Sequence, residues 1–433
     1  MKKVILFLLV AFNSSNGTQL TIAQPGVYQL GSNLTLTPTA SNDQIIRISS
    51  SGVVLDFNGH FISQLNTTTG IDGILIDSNL SDVTIQNGVV RQVTGNGLSI
   101  SSTTTNITIT NMTFETCGTT AITGTVVKNL YIKDVYCVGC CSNSTSTNVV
   151  LLTSVSNGSI KNCVIDNTIN TSPGTFSGML INGCNACNFE SVTIQNCSAA
   201  GTAFNGLNDQ ICVGCQFFDV NVKFNQASGN FNGLSTTSTY GIYTDCSCVA
   251  NTAGGLFNGF VIQPNASLCV LQRCLVNNNI NNGVTGSGFL ISGFSCTLID
   301  CISSHLFNPS RNTASAGFLL QSGGAANTLL NCIGTQQSDN TVYGMFVNST
   351  QRHAVLGGIL MRDVGASDPT SFGVLEVSGI QNLYVRLVAY NNGQTQTQQL
   401  FNVAAGSVNT IPAVQTSNIN SATLPWSSVP VAN

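Results

Sequence analysis

Gly259-Phe260-Val261-Ile262-Gln263, followed by Leu271-Gln272-Arg273-Cys274, is the first of three near-copies of one sentence. The second is Gly288-Phe289-Leu290-Ile291-Ser292 with Leu298-Ile299-Asp300-Cys301. The third is Gly317-Phe318-Leu319-Leu320-Gln321 with Leu329-Leu330-Asn331-Cys332. Fainter copies open at Gly344 and Gly373, so the glycines step by 29, 29, 27 and 29 residues. The distance from each glycine to its inward partner is 15, 13 and 15 for the cysteines, then 15 to Ile359 and 15 to Val388. A fixed period of this size is the mark of a repeat architecture, in which each unit buries its apolar face on its neighbours.

The composition fits such an array. Hydrophobic residues make up 42% of the 433 residues and charged residues only 7%, against roughly 25% charged in an ordinary soluble domain. Ser, Thr, Asn and Gly fill the polar positions. The net charge is −4 and no basic run occurs. Nucleic-acid binding by phosphate neutralisation and a polybasic membrane patch are therefore not expected.

Outward from the opening stretch, short alternating runs recur. They include Val53–Ile62, Val83–Gly88, Ile107–Met112, Leu130–Val135, Ser159–Cys163, Phe189–Val192 and Cys215–Phe218. Alternation predicts half-buried strands, and the Asn, Asp and Gly that follow predict tight corners. Aligned, the runs give a corner column of Asn87, Asn111, Asp134, Asn162, Ser191, Phe217, Arg273, Asp300 and Asn331. The next position (Gly88, Met112, Val135, Cys163, Val192, Phe218, Cys274, Cys301, Cys332) should point inward. Room remains for one further coil around Gly241-Ile242-Tyr243, about a dozen in all. Coils of 23–31 residues with two or three strands each predict an all-β, single-stranded parallel β-helix with terminal caps.

Val54-Leu55-Asp56-Phe57-Asn58-Gly59-His60-Phe61-Ile62 resembles the first-coil signature of right-handed parallel β-helix proteins of the pectin-lyase-like superfamily. The Gly-Phe-x-Ile and Leu-x-x-Cys rungs are similar to their repeats over roughly residues 20–400. The resemblance implies the fold. It implies no single activity, since the superfamily holds polysaccharide lyases, hydrolases, tailspikes and adhesins.

The expected organisation is a signal peptide over residues 1–17, an N-terminal cap over 18–52, the β-helix over 53–400 and a C-terminal cap or tail over 401–433. Lys2-Lys3 and the apolar run Val4–Phe12 form an export-signal pattern, so a secreted or cell-surface location is expected. Trp426 is read as a packing anchor of the tail.

Seventeen cysteines include the Cys-x-x-Cys pairs 137/140, 184/187 and 212/215. The last two could hold zinc. Yet Cys184 and Cys212, and Cys187 and Cys215, each stand 28 apart, one coil. Stacked core ladders explain that spacing, and stacked thiols in an exported chain could also pair as disulfides.

No catalytic constellation emerges. Asp72, Asp77 and Asp82 read as turn residues, and Lys133, Lys161 and Glu190 as a surface ion-pair row. Gly59-His60 lacks the Gly-His-Gly, Asp-Asp and Arg-x-Lys of β-helix pectin hydrolases. His60, His305 and His353 are isolated. No catalytic, cofactor or metal residue is assigned. The expected role is a non-enzymatic, secreted or surface-exposed protein with a structural, adhesive or carbohydrate-binding function, its partner a carbohydrate or a host surface. The alternative is a divergent polysaccharide lyase or glycoside hydrolase.

Overall fold

The computed structural model describes residues 8–10, 19–38, 43–65, 68–141, 147–171, 173–283, 285–307, 314–321, 324–338, 341–348, 352–362, 372–378, 382–385, 387–391, 401–402 and 414–416. The chain is a parallel β-helix of about 11 turns, with no helix among the described residues. It divides into two compact units, Met1–Gln216 and Phe217–Asn433.

In the first unit Ile109 pairs with Ile132, Ile132 with Ile160 and Ile160 with Phe189, all in parallel. A second sheet stacks Val150 on Met179 and Met179 on Leu207. In the second unit Leu271, Leu298 and Leu329 stack in one sheet, and Phe260, Phe289 and Phe318 in the other. The strands Leu20–Ile22, Gly26–Leu30 and Leu34–Leu36 already pair in parallel with Gln44–Ile48, Val53–Asp56 and Phe61–Gln64. The described residues of the expected cap thus stack as rungs themselves. Trp426 and most of the expected signal and tail lie outside the described residues.

Single left-handed residues shape the first sheet. In Thr104–Glu115 the buried residues are Thr104, Ile107 and Ile109, then Met112 and Phe114. Strict alternation would bury Asn111, but Asn111 has φ 52° and turns the chain. One left-handed residue uses one place without using an inward side chain, so the alternation resumes one residue later. The same corner recurs at Asn87, Asp134, Asn162 and Ser191, then at Asp219, Asp245, Arg273, Asp300 and Asn331. Further left-handed corners stand five residues to either side: Asp82 and Gln92, Asn106 and Thr116, Asn157 and Asn167, Tyr240 and Ala250, Leu268 and Asn278, Ser295 and His305.

This corrects one rung of the column. Phe217 is buried and Phe218 is exposed. Asp219 makes the corner, and Val220 points inward. The further coil anticipated near Gly241 exists, with its strand at Ile242–Thr244 and its corner at Asp245.

Asn and Asp tolerate left-handed backbone because their short side chains hydrogen-bond locally. Here they also bond from coil to coil. Asn106 Nδ2 donates to Asp82 Oδ1 at 2.8 Å, and Asn129 Nδ2 to Asn106 Oδ1 at 2.8 Å. Asn111 donates to Asn87 at 3.1 Å and Asn162 to Asp134 at 3.0 Å.

The interior is built of matching rows. Phe260, Phe289 and Phe318 stack at 5.1 and 5.0 Å between ring centroids. Asn225, Asn251 and Asn279 form a buried polar row: Asn251 Oδ1 accepts from the Asn225 N–H and Asn279 Oδ1 from the Asn251 N–H, each at 2.9 Å. A buried amide row is tolerated because its backbone neighbours saturate it.

The cysteines stack as the coil arithmetic predicts. All 17 are free and buried. Cys184 N–H donates to Cys212 Sγ at 3.2 Å, one coil on. Among the described residues no group of three or more His, Cys, Asp or Glu is placed to hold a metal ion. Burial pushes the Cys163 and Cys197 thiols up to about 12, and a protonated buried thiol is inert. Because all 17 thiols are buried, a chromogenic disulfide reagent at pH 8 should label fewer than about one thiol in the native chain and all 17 in guanidinium. A denatured count short by pairs would show disulfides instead.

Candidate functional site

The corner five residues before the central one is not of one kind throughout. At Asp82, Asn106, Asn129 and Asn157 it is polar, and its side chains bond to one another. At Tyr240 and Leu268 it is bulky and apolar, still left-handed at φ 57° and 55°. A left-handed backbone costs a side chain of this kind roughly 1–2 kcal/mol. Neither gains burial in return. Tyr240, Leu268, Phe218, Ile242 and Phe294 are between 39% and 55% exposed.

Strand register brings these five side chains to one face. Thr239 bridges to Ser267 and Ser267 to Phe294, which places Tyr240 and Leu268 on neighbouring coils beside Phe294. Tyr240 N–H donates to Ser267 O at 3.0 Å, and Leu268 N–H to Phe294 O at 2.9 Å. Ile242 pairs with Val270 on the same strand path, and Phe218 immediately precedes the corner at Asp219.

Five residues along the sheet runs a charged row: Asp219, Asp245, Arg273 and Asp300 on successive corners. Arg273 clamps Asp245 through Nε–Oδ1 at 2.7 Å and Nη2–Oδ2 at 2.8 Å. The guanidinium holds the Asp245 carboxyl below its usual range. Asp219 Oδ1 accepts from Asn221 Nδ2 at 2.8 Å. An apolar, aromatic strip beside fixed carboxylates and a fixed guanidinium offers ring faces for a ligand's C–H surface and oriented partners for its hydroxyls.

The acidic residues weighed from the sequence are not brought together. Asp77 binds Arg47, with Oδ2 at 2.9 Å from Nε. Asp82 accepts from Ser81 and Asn106. Asp72 accepts from Ser99 Oγ at 2.6 Å and the Asn96 N–H at 2.7 Å, and burial raises its pKa despite these bonds. Lys133, Lys161 and Glu190 are in register, with Lys161 Nζ 2.6 Å from Glu190 Oε2, so the expected ion-pair row is present. Asp56 accepts from Gln86 Nε2 at 3.1 Å and Asn87 Nδ2 at 3.2 Å.

The aromatic strip and the Asp219–Asp245 corners escaped the sequence reading. One signal was available: Asp245-Cys246 matches Arg273-Cys274, Asp300-Cys301 and Asn331-Cys332.

No family model and no curated protein matches the chain. Solved structures do. A tailspike protein mutant of E. coli bacteriophage HK620 in complex with hexasaccharide is 13% identical with a TM-score of 0.46, covering 90% of this chain and 71% of its own. The pentasaccharide complex of a related mutant gives 13% and 0.42, covering 90% and 74%. A mutant of the periplasmic alginate epimerase AlgG gives 9% and 0.37, covering 87% and 79%. What the chain has in common with these proteins is the parallel β-helix, which its own strand registers establish.

Proposed function

We propose that the chain is a secreted or surface-exposed, non-enzymatic β-helix that binds carbohydrate on the outer face of the second unit. One observation carries this reading: Tyr240 and Leu268 keep bulky apolar side chains in left-handed corners, exposed, where the matching corners Asp82, Asn106, Asn129 and Asn157 hold Asp and Asn bonded to one another. Strain that packing does not repay points to function. The export pattern at residues 1–17 supports delivery to a surface. A mature N-terminus beginning near Thr18, read by mass spectrometry of the secreted protein, is the outcome expected of that pattern.

Tyr240→Asn separates the two roles of the corner. Asn suits the left-handed backbone, so the variant should be about 1 kcal/mol more stable in denaturant unfolding. The same change should weaken glycan binding about tenfold or more, measured by calorimetry on a glycan identified by array screening. Unchanged affinity together with unchanged stability would remove the case for this surface.

The second reading, a divergent polysaccharide lyase or glycoside hydrolase, has its own support in the Asp219, Asp245, Arg273 and Asp300 row. Acid and base chemistry on glycosides uses paired carboxylates. Release of reducing ends or unsaturated products from a panel of polysaccharides, lost in Asp245→Asn, would favour it over the binding role.

A further inference from the structure

We propose that His353 is an acid-sensitive latch in the C-terminal coils of the second unit: neutral, its ring lets the rungs at Asn327, His353 and Asn382 stack, and protonated, it opens them.

The row around it shows what the position normally does. Asn327 Oδ1 accepts from the Cys296 N–H of the previous rung at 2.8 Å, and its Nδ2 donates to Gly293 O at 2.9 Å. Asn382 Oδ1 accepts from the His353 N–H at 2.7 Å. Each Asn thus saturates the corner of the coil before it. His353 is in register with Asn327 and 3% exposed, yet neither ring nitrogen has a hydrogen-bond partner among the described residues. An imidazole stands where the row's logic calls for an amide, and an unbonded buried polar group is a stored cost.

Burial alone holds this imidazole down to about 4. The titratable and charged groups on the strands around it are Cys332, Tyr343, Glu376, Tyr384 and Tyr390, with Arg352 and Arg362 on its own segment. The sign follows. A histidine depressed in the closed state contributes full stability above its open-state value of about 6.5 and loses it as pH falls toward 4. From pH 7.5 to 4.5 the open fraction should rise on the order of fiftyfold. The proton comes from solvent and no bond other than N–H forms.

Hydrogen exchange by mass spectrometry on the full chain, corrected for the chemical rate, tests this. Peptides spanning 327–391 should lose protection between pH 7.5 and 4.5 by tens of fold, while those spanning 104–138 change far less. His353→Asn, which copies Asn327 and Asn382, should abolish the regional loss. His305→Asn, at an exposed histidine bonded to Asn277, should leave it intact. Equal protection of wild-type 327–391 at both pH values overturns the latch, whether or not the variants fold. So does an acid loss that persists in His353→Asn.

Discussion

Phe289→Ala should destabilise the second unit by about 3–5 kcal/mol, the largest effect of any single truncation in it. Phe289 is fully buried with a ring on either side, Phe260 at 5.1 Å and Phe318 at 5.0 Å. Truncation removes the ring's own transfer energy and both stacking contacts, and the neighbouring rings cannot close the gap without leaving register. In a solenoid each coil contacts only its neighbours, so the damage should be local. Exchange protection of 257–262, 286–291 and 314–321 should fall together in the variant. A loss below about 1.5 kcal/mol would mean that the row relaxes as a liquid core would.

Gly88→Val should be the most damaging change in the first unit, at about 3 kcal/mol or more. A Cβ at Gly88 would collide with Phe57 Cβ and lie 2.7 Å from His60 O. Neither neighbour can withdraw easily. Phe57 N–H donates to Gln86 O at 2.9 Å, Gly59 N–H to Asn87 O at 2.8 Å and Val89 N–H to His60 O at 3.1 Å. The side chain would force Val53–Gln64 off Ser81–Arg91. Protease cleavage or rapid exchange confined to 53–64 is the expected readout, and wild-type protection there would refute the close-packing argument.

The fold was legible because stacking writes itself into sequence. Gly259, Gly288 and Gly317 recur at the coil step since a Cβ at each would run into the glycine carbonyl of the next coil. Cys274, Cys301 and Cys332 recur because one interior row tolerates one small apolar shape. The slip at Phe217 arose where apolar residues run together. Gln216-Phe217-Phe218 gives no alternation, and only the left-handed Asp219 sets the phase. The candidate surface was harder to read. Tyr240 and Leu268 defy the backbone preference of their corner, so local propensity argues against the conformation they hold. His353 looked ordinary because nothing in the sequence states that its ring lies inside with no hydrogen-bond partner among the described residues.

The five-residue spacing of the corners has a consequence for how such a chain can vary. Asp82, Asn87 and Gln92 recur as Asn106, Asn111 and Thr116, as Asn157, Asn162 and Asn167, and as Leu268, Arg273 and Asn278, while the coil step ranges from 23 to 31 residues. All of that difference is therefore confined to the arc between the third corner of one coil and the first of the next. A deletion of one residue between Asn106 and Thr116 would turn an inward side chain out and misplace a whole rung. A peptide grafted into the arc after Thr116 or Asn167 would leave every corner in step. Heritable changes in length, and any new loop displayed by engineering, have one admissible address in each coil.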